Sequence, residues 1–163
     1  LAGVAAVAVI IAGLVALGRS TGEPKANSDA SAAPTAAAGA DPALATKPKV
    51  SAGSGQLTKL TVTPLIEGKG APAQTGQRLT VNYVGVTYAT GQEFDASWNR
   101  GEPFSFQLGN GDVLKGWDQG LVGVKVGSRV QLDLPADLAY GENPGNGAPG
   151  GPLRFVVDVL AAE

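Results

Sequence analysis

The residues best suited to chemistry in this sequence are aromatic and apolar, with only a few polar side chains among them. They are Tyr83, Phe94, Asp95, Arg100, Phe104, Val113, Leu114, Trp117, Tyr140 and Phe155. The chain of 163 residues contains no Cys and no His. Thiol nucleophiles, Ser-His triads, imidazole bases and the usual zinc ligand sets are therefore excluded. Any reaction at these residues must proceed without groups of those kinds.

Charge and motif content restrict the partners further. The formal net charge is -2, so the chain has no basic field that would bind phosphate backbones, and we expect no nucleic acid partner. Gly109-Asn110-Gly111 could suggest a phosphate cradle, but Leu114 stands where a third glycine would complete the dinucleotide fingerprint. A tight turn followed by a helix cap explains these glycines. We expect neither a metal nor a cofactor.

Residues 1–18 have no charged and no polar side chain. As a helix they would extend roughly 27 Å, close to the ~30 Å thickness of the bilayer hydrocarbon. This length predicts a transmembrane signal anchor, with the domain that follows lying outside the cytoplasm. A cleavable signal peptide is the alternative, because Ala16-Leu17-Gly18 resembles a cleavage site, and the protein would then be secreted. A buried helix of a soluble protein fits less well, since the segment has no polar face.

Residues 19–55 differ in composition from the rest of the chain. They are rich in Ala, Pro, Ser, Thr and Gly, lack aromatic residues, and have only Leu44 and Val50 as larger aliphatic residues. Such a composition cannot bury enough surface to fold, so we expect a disordered linker. The remaining residues, 56–163, would form a single domain.

Alternation of apolar and polar residues predicts strands in this domain. Strands are predicted near 60–66 and at 79–83, 104–108, 130–134 and 153–159. Residues 113–121 have helical spacing instead, with Asp112 as the expected N-cap. The fold class is therefore α+β, with a curved antiparallel sheet and one short helix that share a core. The apolar N-terminal segment and the linker would precede it.

Several short motifs in residues 56–163 carry a resemblance to a known family. They are Glu93-Phe94-Asp95-Ala96-Ser97, Pro103-Phe104-Ser105-Phe106, Leu108-Gly109, Val113-Leu114-Lys115-Gly116-Trp117-Asp118, Val126-Gly127, Ala139-Tyr140-Gly141-Glu142 and Phe155-Val156-Val157-Asp158, together with Gly85 and Gly91. In this order they resemble the FKBP-type peptidyl-prolyl cis-trans isomerases, the macrolide-binding immunophilins. The resemblance covers residues 56–163 nearly end to end.

The resemblance implies a half-barrel sheet around the helix, with a shallow apolar pocket between them. Four residues would be catalytic, namely Asp95, Tyr140, Leu114 through its backbone N–H, and Trp117 as the pocket floor. Substrate would be bound by Tyr83, Phe94, Arg100, Phe104, Val113, Ala148 and Phe155. Arg100 would pair with Asp95 or with the neighbouring tyrosine.

Plainer interpretations of single residues stay open at this point. Asp95 could cap a turn through an Asx bond, Tyr140 could anchor a loop, and Arg100 could be an exposed charge. Trp117 could be ordinary core. Trp98 would add an exposed aromatic residue near Asp95 that extends the peptide-contact surface, with simple packing as the alternative.

The activity implied by the resemblance is the isomerisation of X-Pro bonds in exported or envelope polypeptides, by a monomer. Rotation about such a bond needs no nucleophile, which suits a chain without Cys or His. The alternative is a non-catalytic chaperone module that binds peptides in the same pocket. Residues 141–152 form a short, glycine-rich loop in which Ala148 replaces a bulkier aliphatic residue of the family. We therefore expect weak binding of macrolides such as tacrolimus or rapamycin.

Overall fold

Alternating apolar and polar residues build an antiparallel sheet that encloses one short helix. The computed structural model describes residues 41–145 and 147–163, and within them the sheet has six strands. The strands are β1 (Thr61–Ile66), β2 (Arg78–Thr87), β3 (Glu93–Ala96), β4 (Phe104–Gln107), β5 (Arg129–Leu134) and β6 (Leu153–Ala162), and the helix is α1 (Lys115–Gly120). Short 3-10 helices lie at Pro42–Ala45, Ser97–Arg100 and Ala136–Leu138.

The two long strands, β2 and β6, form the centre of the sheet. The strand order is β1-β5-β6-β2-β3, and β4 pairs with the first half of β2 while β3 pairs with its second half. Because successive side chains point to opposite faces, Leu79, Val81 and Tyr83 all face the core and are almost completely buried. This arrangement brings the segment between β3 and β4 beside the core face of β2.

The helix packs against β5 at a position where only glycine fits. A Cβ atom on Gly116 would lie 2.3 Å from Cγ of Leu134, so the missing side chain permits the close approach of helix and sheet. Trp117 and Leu121, one turn apart, are fully buried in the shared core. The fold class predicted from the sequence, a curved antiparallel sheet with one short helix, is confirmed for the described residues.

Two details of the predicted elements are corrected by the structure. The helix N-cap is Leu114 rather than Asp112. The carboxylate of Asp112 instead accepts hydrogen bonds from Asn110 and from the Gln107 N–H, within the turn before the helix. Strand β3, which has four residues, was not predicted.

The expectation of disorder throughout 19–55 is wrong for residues 41–55, which we name the strap. Leu44 is only 3% exposed. Arg129 donates to the carbonyl oxygens of Ala43 and Thr46, at 3.0 and 2.8 Å, and Arg154 donates at 3.1 Å to the carbonyls of the strap residues Ser51 and Ala52. The strap has little apolar surface of its own, so hydrogen bonds from the sheet replace the core that its composition cannot form.

Arg129 and Arg154 reach the strap because they alternate with core residues along β5 and β6. Their neighbours Val130 and Phe155 face the helix, so both arginines lie on the opposite face of the sheet. Each is held by an ion pair, Arg129 with Asp158 and Arg154 with Asp133, with nitrogen-to-oxygen distances of 2.6 Å.

The predicted apolar N-terminal helix, residues 1–18, and the rest of the expected linker, residues 19–40, lie outside the described residues. Among residues 41–145 and 147–163, no helix has the length and apolar character needed to cross a bilayer.

Candidate active site

A hydrogen-bonded group of three side chains forms the polar part of the site. The phenol of Tyr83 donates to Oδ2 of Asp95 at 2.6 Å, and Nη1 of Arg100 donates to Oδ1 of the same carboxylate at 2.8 Å. Nη2 of Arg100 donates to the Tyr83 oxygen at 2.7 Å, which closes the triangle. Asp95 is 8% exposed, so its charge is buried but fully paired.

Local backbone contacts explain how these three side chains meet. Tyr83 lies on the core face of β2, Asp95 on β3, and Arg100 at the end of the 3-10 helix that follows β3. Ser97, which is completely buried, accepts a hydrogen bond from the Tyr83 N–H at 2.9 Å and donates to Asn82 at 3.0 Å. Ser97 thereby fixes the turn that carries Arg100.

Sequence reasoning did not identify Ser97 and Asn82 as contributors to the site. The available signal was a pair of small polar residues next to predicted site residues, Asn82 before Tyr83 and Ser97 two residues after Asp95. Two such residues close in space can satisfy each other when they are buried, but their proximity depends on the pairing of β2 with β3.

Edge-to-face packing of aromatic rings forms the apolar part of the site. The Trp117 ring lies 5.2 Å from Tyr83, 5.3 Å from Phe155, 5.7 Å from Phe106 and 6.4 Å from Phe104, measured between ring centroids. Such geometry places positive ring edges on negative ring faces. Glycine at position 85 leaves space for this cluster, since a Cβ there would lie 2.7 Å from the Phe155 ring.

Trp117 does not form an open pocket floor. Its side chain is completely buried, and its indole Nε1 has no hydrogen-bond partner in the described structure. Trp117 therefore lies beneath the site and supports the residues above it. Phe106, which also packs on Trp117, was not among the predicted site residues.

Partly exposed residues form the rim of the site. Phe94, Phe104 and Tyr140 are half-buried and pack against the core cluster, whereas Val113 and Leu114 are 7% and 9% exposed. Among the described residues, none accepts a hydrogen bond from the Leu114 N–H. The rim thus combines apolar rings with a backbone donor.

Burial and the Asp95 charge change the acidity of the two site tyrosines. Burial raises the pKa of Tyr83 well above its usual range, and the hydrogen bond to Asp95 raises it further, while Arg100 acts in the opposite direction. Burial also raises the pKa of Tyr140, with a further contribution from the charge of Asp95. Both phenols therefore remain protonated donors at neutral pH.

The structure brings the predicted aromatic residues and the Asp95 group together around Trp117. Ala148 is half-buried in the loop before β6, and its role in the site stays a prediction. Of the two interpretations of Trp98, the structure agrees with packing, since Trp98 is half-buried and packs against Val84, Val86 and Ala96. Within residues 41–145 and 147–163, no group of three or more acidic residues could hold a metal ion.

Comparisons with known proteins agree with this geometry. The family model described as FKBP-type peptidyl-prolyl cis-trans isomerase matches residues 69–160. An FK506-binding protein of Streptomyces anulatus is 54% identical over 105 residues, which are 63% of this chain and 85% of that protein. The peptidyl-prolyl cis-trans isomerase Fkbp12 of Drosophila melanogaster is 40% identical over 105 residues, covering 63% of this chain and 96% of that protein.

A solved structure shows the same fold. The crystal structure of FkpA from Escherichia coli superposes with a TM-score of 0.59 at 36% sequence identity, covering 73% of this chain and 54% of that chain. With more than half of its residues matched by one family, the chain belongs to the FKBP-type peptidyl-prolyl cis-trans isomerases and is an enzyme of that activity.

Proposed function

We propose that this isomerase accelerates X-Pro rotation by taking the imide out of water and binding its twisted form better than its planar form. Amide resonance places charge on the carbonyl oxygen and the nitrogen, and its loss creates a barrier of ~18–20 kcal/mol. The planar imide is the more polar form, so an apolar site disfavours it relative to the twisted one. Hydrogen bonds that fit only the twisted geometry add selective stabilisation of the transition state.

One observation carries this proposal: the buried, fully paired Asp95 carboxylate lies beside a cluster of aromatic rings. Phe94, Phe104 and Tyr140 are the half-buried rings, so we assign the first contact with the prolyl ring to them. Trp117 supports them from below. The Leu114 N–H is a suitable donor for a substrate carbonyl.

The electrostatic part of this proposal is tested by Asp95→Asn in the full chain. The substitution keeps the shape of the side chain but removes the charge that orients Tyr83 and Arg100. We expect kcat/KM for an X-Pro peptide to fall about tenfold, equivalent to ~1.4 kcal/mol of transition-state stabilisation. The assay should follow the loss of the cis isomer directly, for example by exchange NMR.

The matched control is Glu67→Gln, which makes the same chemical change in an exposed ion pair with Lys125. Its kcat/KM should equal that of the unmodified protein. Equal activities of Asp95→Asn and Glu67→Gln would refute the proposed mechanism. Peptide binding without any acceleration of rotation would instead assign the site to a binding module.

We also propose that macrolides bind weakly, because the loop at residues 141–152 offers little apolar contact. It contains glycine at five of the described positions, and the Gly151 N–H donates a hydrogen bond to the Gly141 carbonyl. Ala148→Ile should tighten binding of FK506 by about tenfold or more, since added methylene groups contribute ~1–3 kcal/mol in an apolar site. Unchanged calorimetric affinity would contradict this.

For the location of the enzyme, we propose attachment to the cell membrane through residues 1–18, with the domain outside the cytoplasm. The support is the uncharged, apolar composition of that segment and its length. Intact mass measurement of the protein from a membrane fraction tests it. A soluble form that begins after Gly18 would show cleavage and secretion instead.

A further inference from the structure

The strap contacts both ends of the segment that contributes Phe94, Asp95 and Arg100 to the site. Nζ of Lys47 lies 2.7 Å from Oε1 of Glu93 and 3.1 Å from Oδ1 of Asn99. Asn99 in turn donates to Oε2 of Glu93 at 3.1 Å. Glu93 directly precedes Phe94 and Asn99 directly precedes Arg100, so this triangle joins the two ends of the segment 93–100.

The strap also supports the segment from the face that lies away from the active site. Val50 packs against a small cluster formed by Val84, Val86 and Ala96. Ala96, which directly follows Asp95, is only 1% exposed. Since neighbouring strand residues point to opposite faces, a side chain that packs on Ala96 lies behind Asp95.

The backbone on both sides of Lys47 is fixed to the sheet. The carbonyl of Thr46 accepts from Arg129 at 2.8 Å, and further along the strap the carbonyl of Ser51 accepts from Arg154 at 3.1 Å. A lysine on such an anchored backbone loses less conformational freedom on pairing than one on a mobile loop. Its side chain is 38% exposed and that of Glu93 is 36% exposed, so solvent screens the pair only in part.

Hydrogen bonds of Asp95 and Ser97 restrain the buried middle of the supported segment, whereas its ends at Glu93 and Asn99 are exposed. β3 has only four residues and is the last strand of the sheet, and the 3-10 helix after it forms a single short turn. Exposed ends with few buried contacts open locally at low free energy. A bridge between its two ends therefore limits how far Asp95 and Arg100 move relative to Tyr83.

We propose that Lys47 is a positioning residue for the isomerase, which holds the segment 93–100 in its catalytic geometry through Glu93 and Asn99. This inference rests on the proposed roles of Asp95 and Arg100. It assigns a function to the strap, which lies outside the part of the chain matched by the family, residues 69–160.

The test is Lys47→Met in the full chain, which removes the charge and keeps a long, unbranched side chain. We expect kcat/KM to fall about fivefold, the factor that corresponds to an interaction of ~1 kcal/mol between Lys47 and its partners Glu93 and Asn99. The loss should appear mainly in kcat, with a smaller change in KM, because Phe104 and Tyr140, two of the three rim rings assigned to the prolyl group, lie outside the segment 93–100. Lys47→Glu should be worse, since it places two carboxylates together.

The charge-swapped variant Lys47→Glu with Glu93→Lys provides the rescue. It re-forms the ion pair in the opposite direction, and the Asn99 amide can serve as donor or acceptor to either group. We expect its kcat/KM to lie within about twofold of that of the unmodified protein. If each substitution only disturbed the structure, the two losses would add and activity would not recover.

Lys125→Met is the matched control, because it breaks the exposed Lys125–Glu67 pair at a distance from the site. Equal kcat/KM for Lys47→Met and Lys125→Met, or failure of the swap to rescue, would overturn the inference. If Asp95→Asn still reduced activity in the same assay, only the role of Lys47 would be lost. If Asp95→Asn had no effect, the proposed function would fail with it.

Discussion

At the scale of single residues, the proposed role of Asp95 depends on its two hydrogen-bond partners as much as on its own charge. Its two oxygens are both engaged, one by Tyr83 and one by Arg100. These two hydrogen bonds offset the cost of burying the carboxylate. The same charge contributes to the raised pKa of Tyr140.

The raised pKa values of the site tyrosines predict a specific loss of stability at high pH. In the unfolded chain a tyrosine ionises near pH ~10, whereas the folded protein keeps Tyr83 and Tyr140 protonated to higher pH. The unfolded state therefore loses protons first, and the free energy of unfolding falls as pH rises above ~10. Below that pH the contribution of both groups is fully present.

Urea unfolding at pH 9, 10 and 11 measures this effect. Between pH 10 and pH 11 the free energy of unfolding should fall less in Tyr140→Phe than in the unmodified protein. The difference should be up to ~1.4 kcal/mol, the value for one proton per pH unit. Tyr83→Phe should reduce this fall similarly, although its overall stability will be lower because Asp95 and Arg100 lose a partner. A slope identical to that of the unmodified protein in both variants would contradict the prediction.

At the scale of elements, α1 shows that packing against the sheet can outweigh the low helix propensity of glycine. Glycine disfavours a helix by ~1 kcal/mol relative to alanine, so Gly116 and Gly120 would be expected to weaken α1. In the structure each glycine faces β5, and the space available for a Cβ differs between them. It would lie 2.3 Å from Leu134 at position 116 but 3.0 Å from Leu132 at position 120.

This difference predicts opposite outcomes for the same substitution. Gly116→Ala should lower the free energy of unfolding by ~1–3 kcal/mol, because overpacking against Leu134 outweighs the gain in helix propensity. Gly120→Ala should change it by less than ~1 kcal/mol. Thermal and urea unfolding of both variants test the prediction, and a more stable Gly116→Ala protein would contradict it.

At the scale of the whole molecule, the strap extends the domain beyond the part matched by the family. The arginines that donate to it, Arg129 and Arg154, lie with their ion-pair partners on one face of the sheet, while the proposed catalytic residues lie on the other. A change in the strap can reach the site through the sheet, through the packing of Val50 on Ala96 or through the Lys47 bridge.

Leu44 supplies a test of how the strap is attached. Removing a buried leucine side chain costs ~2–5 kcal/mol when the surroundings cannot rearrange. The strap can separate from the sheet on its own, so Leu44→Ala should instead release it locally. Hydrogen exchange should become at least tenfold faster at the Leu44, Thr46 and Gly53 amides, which are hydrogen-bonded in the docked strap.

The exchange rates in β2 and β6 should stay unchanged in this variant. Equal acceleration in the strap and in the central strands would mean that the strap unfolds only together with the whole domain. The two outcomes distinguish a docked accessory segment from an integral part of the core.

Much of the fold and most of the candidate site could be predicted from local pattern alone. Two-residue alternation identified every strand longer than four residues, and helical spacing identified α1, because both patterns record which side of an element faces the core. The family motifs then identified Asp95, Tyr83 and the rings around Trp117. These features depend on residues that are close in sequence or arranged in a regular period.

Only the tertiary structure decided which distant groups meet. It placed Ser97 against the backbone of Tyr83, covered Trp117 completely with other rings, and ordered residues 41–55 through arginines that lie more than seventy residues away in sequence. Composition predicted a disordered linker at the strap. It could not reveal that hydrogen-bond donors on the sheet satisfy the strap carbonyls, because that depends on contacts between segments and not on the segment itself.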